Sequence, residues 1–333
     1  MKPYQRLALI MLASVLVSCL ITPWVSLGIG ALRGGFPGMR AALDFPFDRV
    51  MRRVVLVVSV TLLFLDRRRL EIASLASMGL KRADKRQALL ARGWLLGAGA
   101  LAAMLLVMTL SGARAPGLFF SGPGELAFEL GKAFITGVVV AFIEEIFFRG
   151  FVLQALLRNL PRSSAVIAMS AFFALVHFFN ASDMPTPSSF DPLLGFKAVA
   201  YFFTPLLTPS EVLPGFIGLF LFGVVLGCAV LRTGSLYLAI GLHAGCVFGI
   251  KAEGLFLNRV KIAPWFFGDG RVVTGVFGWI ALLALLGAVL YLNPKSPPYA
   301  KAAGGRQIPN PNGREIPDSR PQNPKSREDL EPT

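Results

Sequence analysis

The chain has 333 residues, 54% of them hydrophobic, with a mean hydropathy of +0.63 and a formal charge of +14. Such apolarity excludes a soluble protein built on a single core. The basic residues flank apolar runs and form no aromatic-interleaved patch, which excludes nucleic acid as a partner; they read as topology signals and as contacts to anionic membrane lipids.

Taken in chain order, apolar runs of spanning length or near it fall at 7–32, 93–111, 126–159, 164–182, 213–231, 235–250 and 272–292. Two further segments, 54–65 and 193–208, are ambiguous: the first is short and flanked by arginines, and the second contains Lys197, Pro205 and Thr208. The expectation is therefore an all-α, polytopic integral membrane helical bundle with about 7–9 transmembrane segments. Leu16-Val17-Ser18-Cys19 has the look of a lipoprotein cleavage site. Hydrophobicity nevertheless continues through Leu32, so the run reads as an uncleaved first span. Cys19, Cys228 and Cys246 are dispersed without a C-x-x-C, and indicate neither a disulfide framework nor a cysteine zinc site.

Residues 1–125 form an N-terminal transmembrane region whose loop 66–92 is rich in Arg and Lys, placing that loop on the cytoplasmic side. Arg158 and Arg162 agree with this orientation. The loop 33–53, with five arginines, is discordant if 54–65 spans. Residues 251–292 supply the last loop and a final transmembrane helix. The segment 293–333, with nine prolines, is a disordered Pro-rich tail.

Chemistry concentrates in Ala141-Phe142-Ile143-Glu144-Glu145-Ile146-Phe147-Phe148-Arg149-Gly150. An ionised carboxylate in hydrocarbon is costly, so intramembrane glutamates face a bundle interior or a water-filled cavity and mark function. Glu145 and Arg149 stand at i and i+4, the spacing of a helical ion pair, while Glu144 points about 100° away from Glu145. In one division of labour Arg149 holds Glu145 ionised and Glu144 exchanges a proton; in the other the two roles are reversed. A buried ion pair that only fixes helix packing is the non-catalytic alternative.

Both histidines of the chain, His177 and His243, also lie in apolar runs. If 126–159 and 164–182 form a hairpin turning near Pro161, Glu144 and His177 both lie ~25 Å from the turn and meet across it. A turn near Thr233-Gly234 puts His243 only ~14 Å along its helix, so it matches the others if that helix starts deeper or the turns lie at different heights. Two glutamates and two histidines converging in a bundle support water activation, with carboxylate as general base and imidazole as proton shuttle, oxyanion donor or metal ligand. The same set also suits a proton relay in a transporter, although no inverted repeat or paired broken helices are visible. No H-E-x-x-H is present, which excludes a zincin.

E-E-x-x-x-R (Glu144, Glu145, Arg149), F-x-x-x-H (Phe173, His177) and a third helix bearing His243 together resemble the CPBP or Abi family of intramembrane proteases, which includes type II CAAX prenyl endopeptidases and bacteriocin-processing enzymes. The resemblance covers about 126–250. It implies an all-helical intramembrane protease core, an endopeptidase that hydrolyses a peptide bond with glutamate- and histidine-activated water. By position, Glu144 is the expected general base with His177 beside it. Glu145 and Arg149 support the site, and His243 donates to the oxyanion. Glu144, His177 and His243 are also chemically sufficient to ligate a divalent metal such as zinc, and no other cofactor is implied. The implied partner is a peptide or small membrane-associated protein, and the implied location is an integral membrane protein of the bacterial inner (plasma) membrane.

One position departs from the family. Its last motif is usually H-x-x-x-N, and Val247 stands where the asparagine is expected. Valine donates no hydrogen bond; Lys251, eight residues past His243, is the candidate substitute. The departure keeps open a catalytically silent scaffold or immunity-type factor of the same family.

Overall fold

The computed structural model describes residues 3–36, 44–70, 72, 74–80, 86–179, 184, 190–269 and 273–292. The segment 293–333 and part of the basic loop 66–92 lie outside the described residues. The chain is an all-α polytopic membrane bundle, and 78% of its described residues are helical. Its helices are α1 Pro3–Gly35, α2 Phe47–Asp66, α3 Arg86–Leu110, α4 Pro123–Glu145, α5 Leu153–Leu157 and α6 Arg162–Val176. They continue with α7 Leu194–Phe202, α8 Pro209–Thr233, α9 Tyr237–Phe256, α10 Pro264–Phe267 and α11 Val276–Leu292.

Among the described residues, five helical stretches are long and apolar enough to cross a membrane: α1, α3, the continuous Pro123–Leu157, α8 and α9. The runs expected at 164–182 and 272–292 form the shorter apolar helices α6 and α11. Of the ambiguous segments, 54–65 belongs to the 20-residue α2, and 193–208 to the short α7 followed by a 3-10 turn, Thr204–Leu207. Two short strands, β1 Arg114–Pro116 and β2 Leu257–Arg259, pair antiparallel and tie the segment after α3 to the end of α9.

Local sequence explains the boundaries near the site. Pro161 caps α6 from outside, because its ring fixes φ and removes a donor the first turn does not need. Gly234 ends α8 in the left-handed conformation, at φ 65°, where any side chain is disfavoured. The turn between α8 and α9 is itself buried: Leu236 is inaccessible, and its N–H donates to the Gly79 carbonyl at 3.0 Å. Helix α9 therefore starts inside the bundle, which lifts His243 to the level of the glutamates.

α9 is the axis of the protein and packs most extensively against α3, then against α4. The α3 contact is backbone on backbone. A Cβ on Gly93 or Gly97 would strike the Leu238 or Leu242 carbonyl, and a Cβ on Gly241 or Gly245 would strike the Leu90 or Trp94 carbonyl. G-x-x-x-G on both helices removes the side chains that would hold the axes apart. On the other flank, α6 and α8 run antiparallel in a register that sets Val166 against Gly227, Ser170 against Gly223 and Phe178 against Gly215.

Candidate active site

Helix α4 ends at Glu145, and the chain continues directly into a π-helical turn, Ile146–Val152, before resuming as α5. The Leu153 N–H donates to the Phe148 carbonyl five residues back, and all seven residues of the turn are buried. Such widened turns recur at functional sites because they reorient side chains without breaking the helix. Here the turn carries Arg149 into the bundle interior.

The side chains of Glu145 and Arg149 are fully buried and paired, Nη1 to Oε1 at 2.9 Å. Arg149 Nη2 donates to the Gly223 carbonyl of α8 at 3.3 Å. Its guanidinium lies 4.6 Å from the Phe173 ring centroid and 5.7 Å from that of Phe148. A charge so enclosed is tolerable only because it is paired, hydrogen-bonded and stacked. Glu145 Oε1 also accepts from His243 Nδ1 at 2.9 Å, linking the π turn to α9.

The second histidine is held by its own helix. His177 Nδ1 donates to the Phe173 carbonyl one turn back, at 2.7 Å, which is the physical content of the F-x-x-x-H spacing. Both imidazoles thus spend their Nδ1–H on a fixed acceptor, and in the neutral form each Nε2 presents a lone pair. Both lone pairs face the same atom. Glu144 Oε2 lies 3.9 Å from His177 Nε2 and 3.9 Å from His243 Nε2. That oxygen is buried and has no hydrogen-bond partner among the described residues. The His177 side chain is 32% exposed and that of Glu144 20%, against 5% for His243, so access is from the His177 side.

All five residues singled out in the sequence therefore meet: Glu144, Glu145, Arg149, His177 and His243. The hairpin expected about Pro161 brings Glu144 to His177, and Glu145 pairs with Arg149. The sequence did not identify the aromatic enclosure. Phe148, Phe173 and Phe222 are buried around the charges, with Phe222 5.4 Å from the His243 ring, whereas Phe128, Phe134 and Phe142 on α4 are exposed on the outer face. Their position relative to the E-E-x-x-x-R and F-x-x-x-H motifs was the available signal. Lys251 is exposed more than two turns beyond His243, and Val247 is only partly buried.

Among the described residues no group of three His, Cys, Asp or Glu side chains is arranged to hold a metal ion. The 3.9 Å separations from Glu144 Oε2 to either Nε2 exceed the ~3.4 Å that tetrahedral ligation at ~2.1 Å imposes between donors. The trio as arranged does not fit zinc.

Residues 126–249 match the family model for type II CAAX prenyl endopeptidase Rce1-like. The matched segment holds the whole constellation from Glu144 to His243, in agreement with the resemblance read from the motifs. No curated protein and no solved structure matches the chain. With helical stretches among the described residues that are long and apolar enough to cross a membrane, the chain is an integral membrane protein whose residues 126–249 are similar to that family.

Proposed function

We propose that this chain, with residues 126–249 carrying the signature of type II CAAX prenyl endopeptidases, is an intramembrane endopeptidase acting on a peptide or small membrane-associated protein. One observation carries the reading: two imidazole Nε2 atoms directed at one buried, unpartnered carboxylate oxygen, 3.9 Å from each. That spacing is too long for direct hydrogen bonds and suits a water molecule or a substrate oxygen between them.

In the proposed reaction Glu144 takes one proton from water seated between it and His177, and the hydroxide attacks the scissile carbonyl carbon. His243 enters the step with a proton taken up from solvent at Nε2 and with Nδ1–H on Glu145, and Nε2–H donates to the oxyanion that forms as the C–O bond closes. When the tetrahedral intermediate collapses, the C–N bond breaks and the amine leaves with the proton held by Glu144. Arg149 holds Glu145 in place through the 2.9 Å ion pair, as a positioning group rather than a reacting one.

The location we propose is the bacterial inner (plasma) membrane. A second reading, a relative that binds a peptide without cutting it, is favoured by Val247, which stands where the family's asparagine is expected. Purified protein in detergent, tested on a library of membrane-associated peptides, separates the two. Cleavage by the wild type that disappears in both Glu144→Gln and His177→Ala, with folding intact, supports the endopeptidase; equal cleavage by all three proteins overturns it. Binding without cleavage selects the silent relative.

A further inference from the structure

Helices α1 and α2 form an antiparallel pair, tied at one end by the Arg6–Asp66 ion pair and at the other by Arg33–Asp44 at 2.7 Å. Between them runs a trough of about 350 Å³, lined by residues outside both the candidate active site and the family-matched segment. Its two walls are regular. Ile21, Val25 and Ile29 stand on α1, and Val50, Val54 and Val58 on α2, each set spaced i, i+4, i+8 and so on one face of its helix. All six are β-branched and short, which leaves open space between the ridges over ~12 Å of helix.

One end of this apolar trough is cationic. Arg53 belongs to the lining, with its guanidinium 4.7 Å from the centroid of the Phe45 ring that shares the wall. Arg49 lies one turn back on the same face of α2, and both arginines are exposed. The carboxylates at this end are already engaged, Asp44 with Arg33 and Asp48 with Arg52 at 2.8 Å. Arg49 and Arg53 therefore have no carboxylate partner among the described residues. Both also sit in the first two turns of α2, where the positive pole of the helix disfavours a cation and favours an anion. Residues 37–43, between α1 and α2, lie outside the described residues.

We propose that this trough is a binding site for an anionic phospholipid, with one acyl chain lying between the valine and isoleucine ridges and the headgroup phosphate held by Arg53 and Arg49. A guanidinium suits a phosphate because its planar fork donates two hydrogen bonds at once, and stacking on Phe45 leaves that edge available. Such a ligand also accounts for the arginines of 33–53, which are discordant as topology signals: at least two of them serve a headgroup. The site is independent of the proposed endopeptidase activity.

The test uses the delipidated full chain in a neutral detergent, titrated with dioleoyl phosphatidylglycerol or with dioleoyl phosphatidylcholine, which carries the same acyl chains. Native mass spectrometry reads the lipid retained. Phosphatidylglycerol is expected to be retained at a concentration at least ~10-fold lower, since each nearby cation adds to the attraction of an anionic headgroup. Arg49→Gln combined with Arg53→Gln is expected to erase that preference and to leave the unfolding temperature of the lipid-free protein unchanged. Val25→Phe with Val54→Phe, which fills the trough, is expected to lower retention of both lipids. Equal retention of the two lipids by the wild type, or retention of neither, overturns the site. So does a preference that survives the arginine pair and falls instead when Arg67, Arg68 and Arg69 are changed to Gln, which places the lipid at the basic loop. A preference lost with Arg49 and Arg53 but indifferent to the filled trough overturns the acyl-chain site.

Discussion

Glu145 and His243 are separated by 98 positions in the sequence and joined by a hydrogen bond of 2.9 Å, Oε1 to Nδ1, in the interior of the bundle. The same oxygen accepts from Arg149 at 2.9 Å. One carboxylate therefore sets the tautomer of the histidine and neutralises the arginine, and the histidine's other nitrogen is left facing Glu144. The adjacent glutamates divide their duties on this account. Glu145 is enclosed, with Oε1 committed to both Arg149 and His243; Glu144 is partly reachable, and its Oε2 has no hydrogen-bond partner among the described residues.

From this division Glu145→Gln is expected to lower the cleavage rate about 10–100-fold without removing any reacting atom, the effect usual for groups that orient a catalytic imidazole. Glu144→Gln is expected to lower it at least ~100-fold, because the base itself is lost. Initial rates on a cleavable peptide rank the two. An equal or inverted ranking would return the base role to Glu145.

Arg149 should be more important to stability than to chemistry. Arg149→Met leaves Glu145 as a buried charge with no cation beside it, and breaking such a pair costs about 3–5 kcal/mol. The expected result is a marked fall in the thermal unfolding temperature in detergent. A second substitution, Glu145→Gln on the Arg149→Met background, should recover part of the loss, since it removes the stranded charge. No recovery would mean that the stacking on Phe173 and the bond to Gly223, rather than the ion pair, dominate.

Gly97→Val and Gly241→Val should each force α3 away from α9, because the added atoms meet a carbonyl of the facing backbone rather than a flexible side chain. Overpacking at such contacts costs about 1–3 kcal/mol. Gly99, whose Cβ would meet nothing within 4 Å, serves as the control: Gly99→Ala is expected to be neutral or mildly stabilising through helix propensity.

Val247→Asn restores the hydrogen-bonding residue of the family motif on the same face of α9 as His243. If the oxyanion lacks that donor in this chain, the substitution should raise the cleavage rate toward the ~100-fold that one such donor contributes elsewhere. An unchanged rate would show that His243 suffices. Cleavage is expected to persist after treatment with a chelator; loss of activity that zinc restores would instead place an ion among Glu144, His177 and His243.

The residues that make the site were legible in the sequence because a membrane makes charge conspicuous. Glu144, Glu145, Arg149, His177 and His243 stand out in apolar helices, where each is costly unless it has a partner. Most spans were legible for the same reason, although 164–182 and 272–292 form the shorter helices α6 and α11, and the helical period related Glu145 to Arg149 and Phe173 to His177. Longer-range geometry was not available from that source. The depth of His243 depended on a turn at 233–236 being buried against Gly79, a tertiary contact with no local signature. The π turn after Glu145 has none either, and it decides where Arg149 points. Which phenylalanines enclose the charges and which face outward depended on helix packing, because an apolar side chain suits lipid and protein interior equally well. Sequence thus determined which groups had to find partners. The close approach of α3 to α9 and the register of α6 on α8 decided which partners they found.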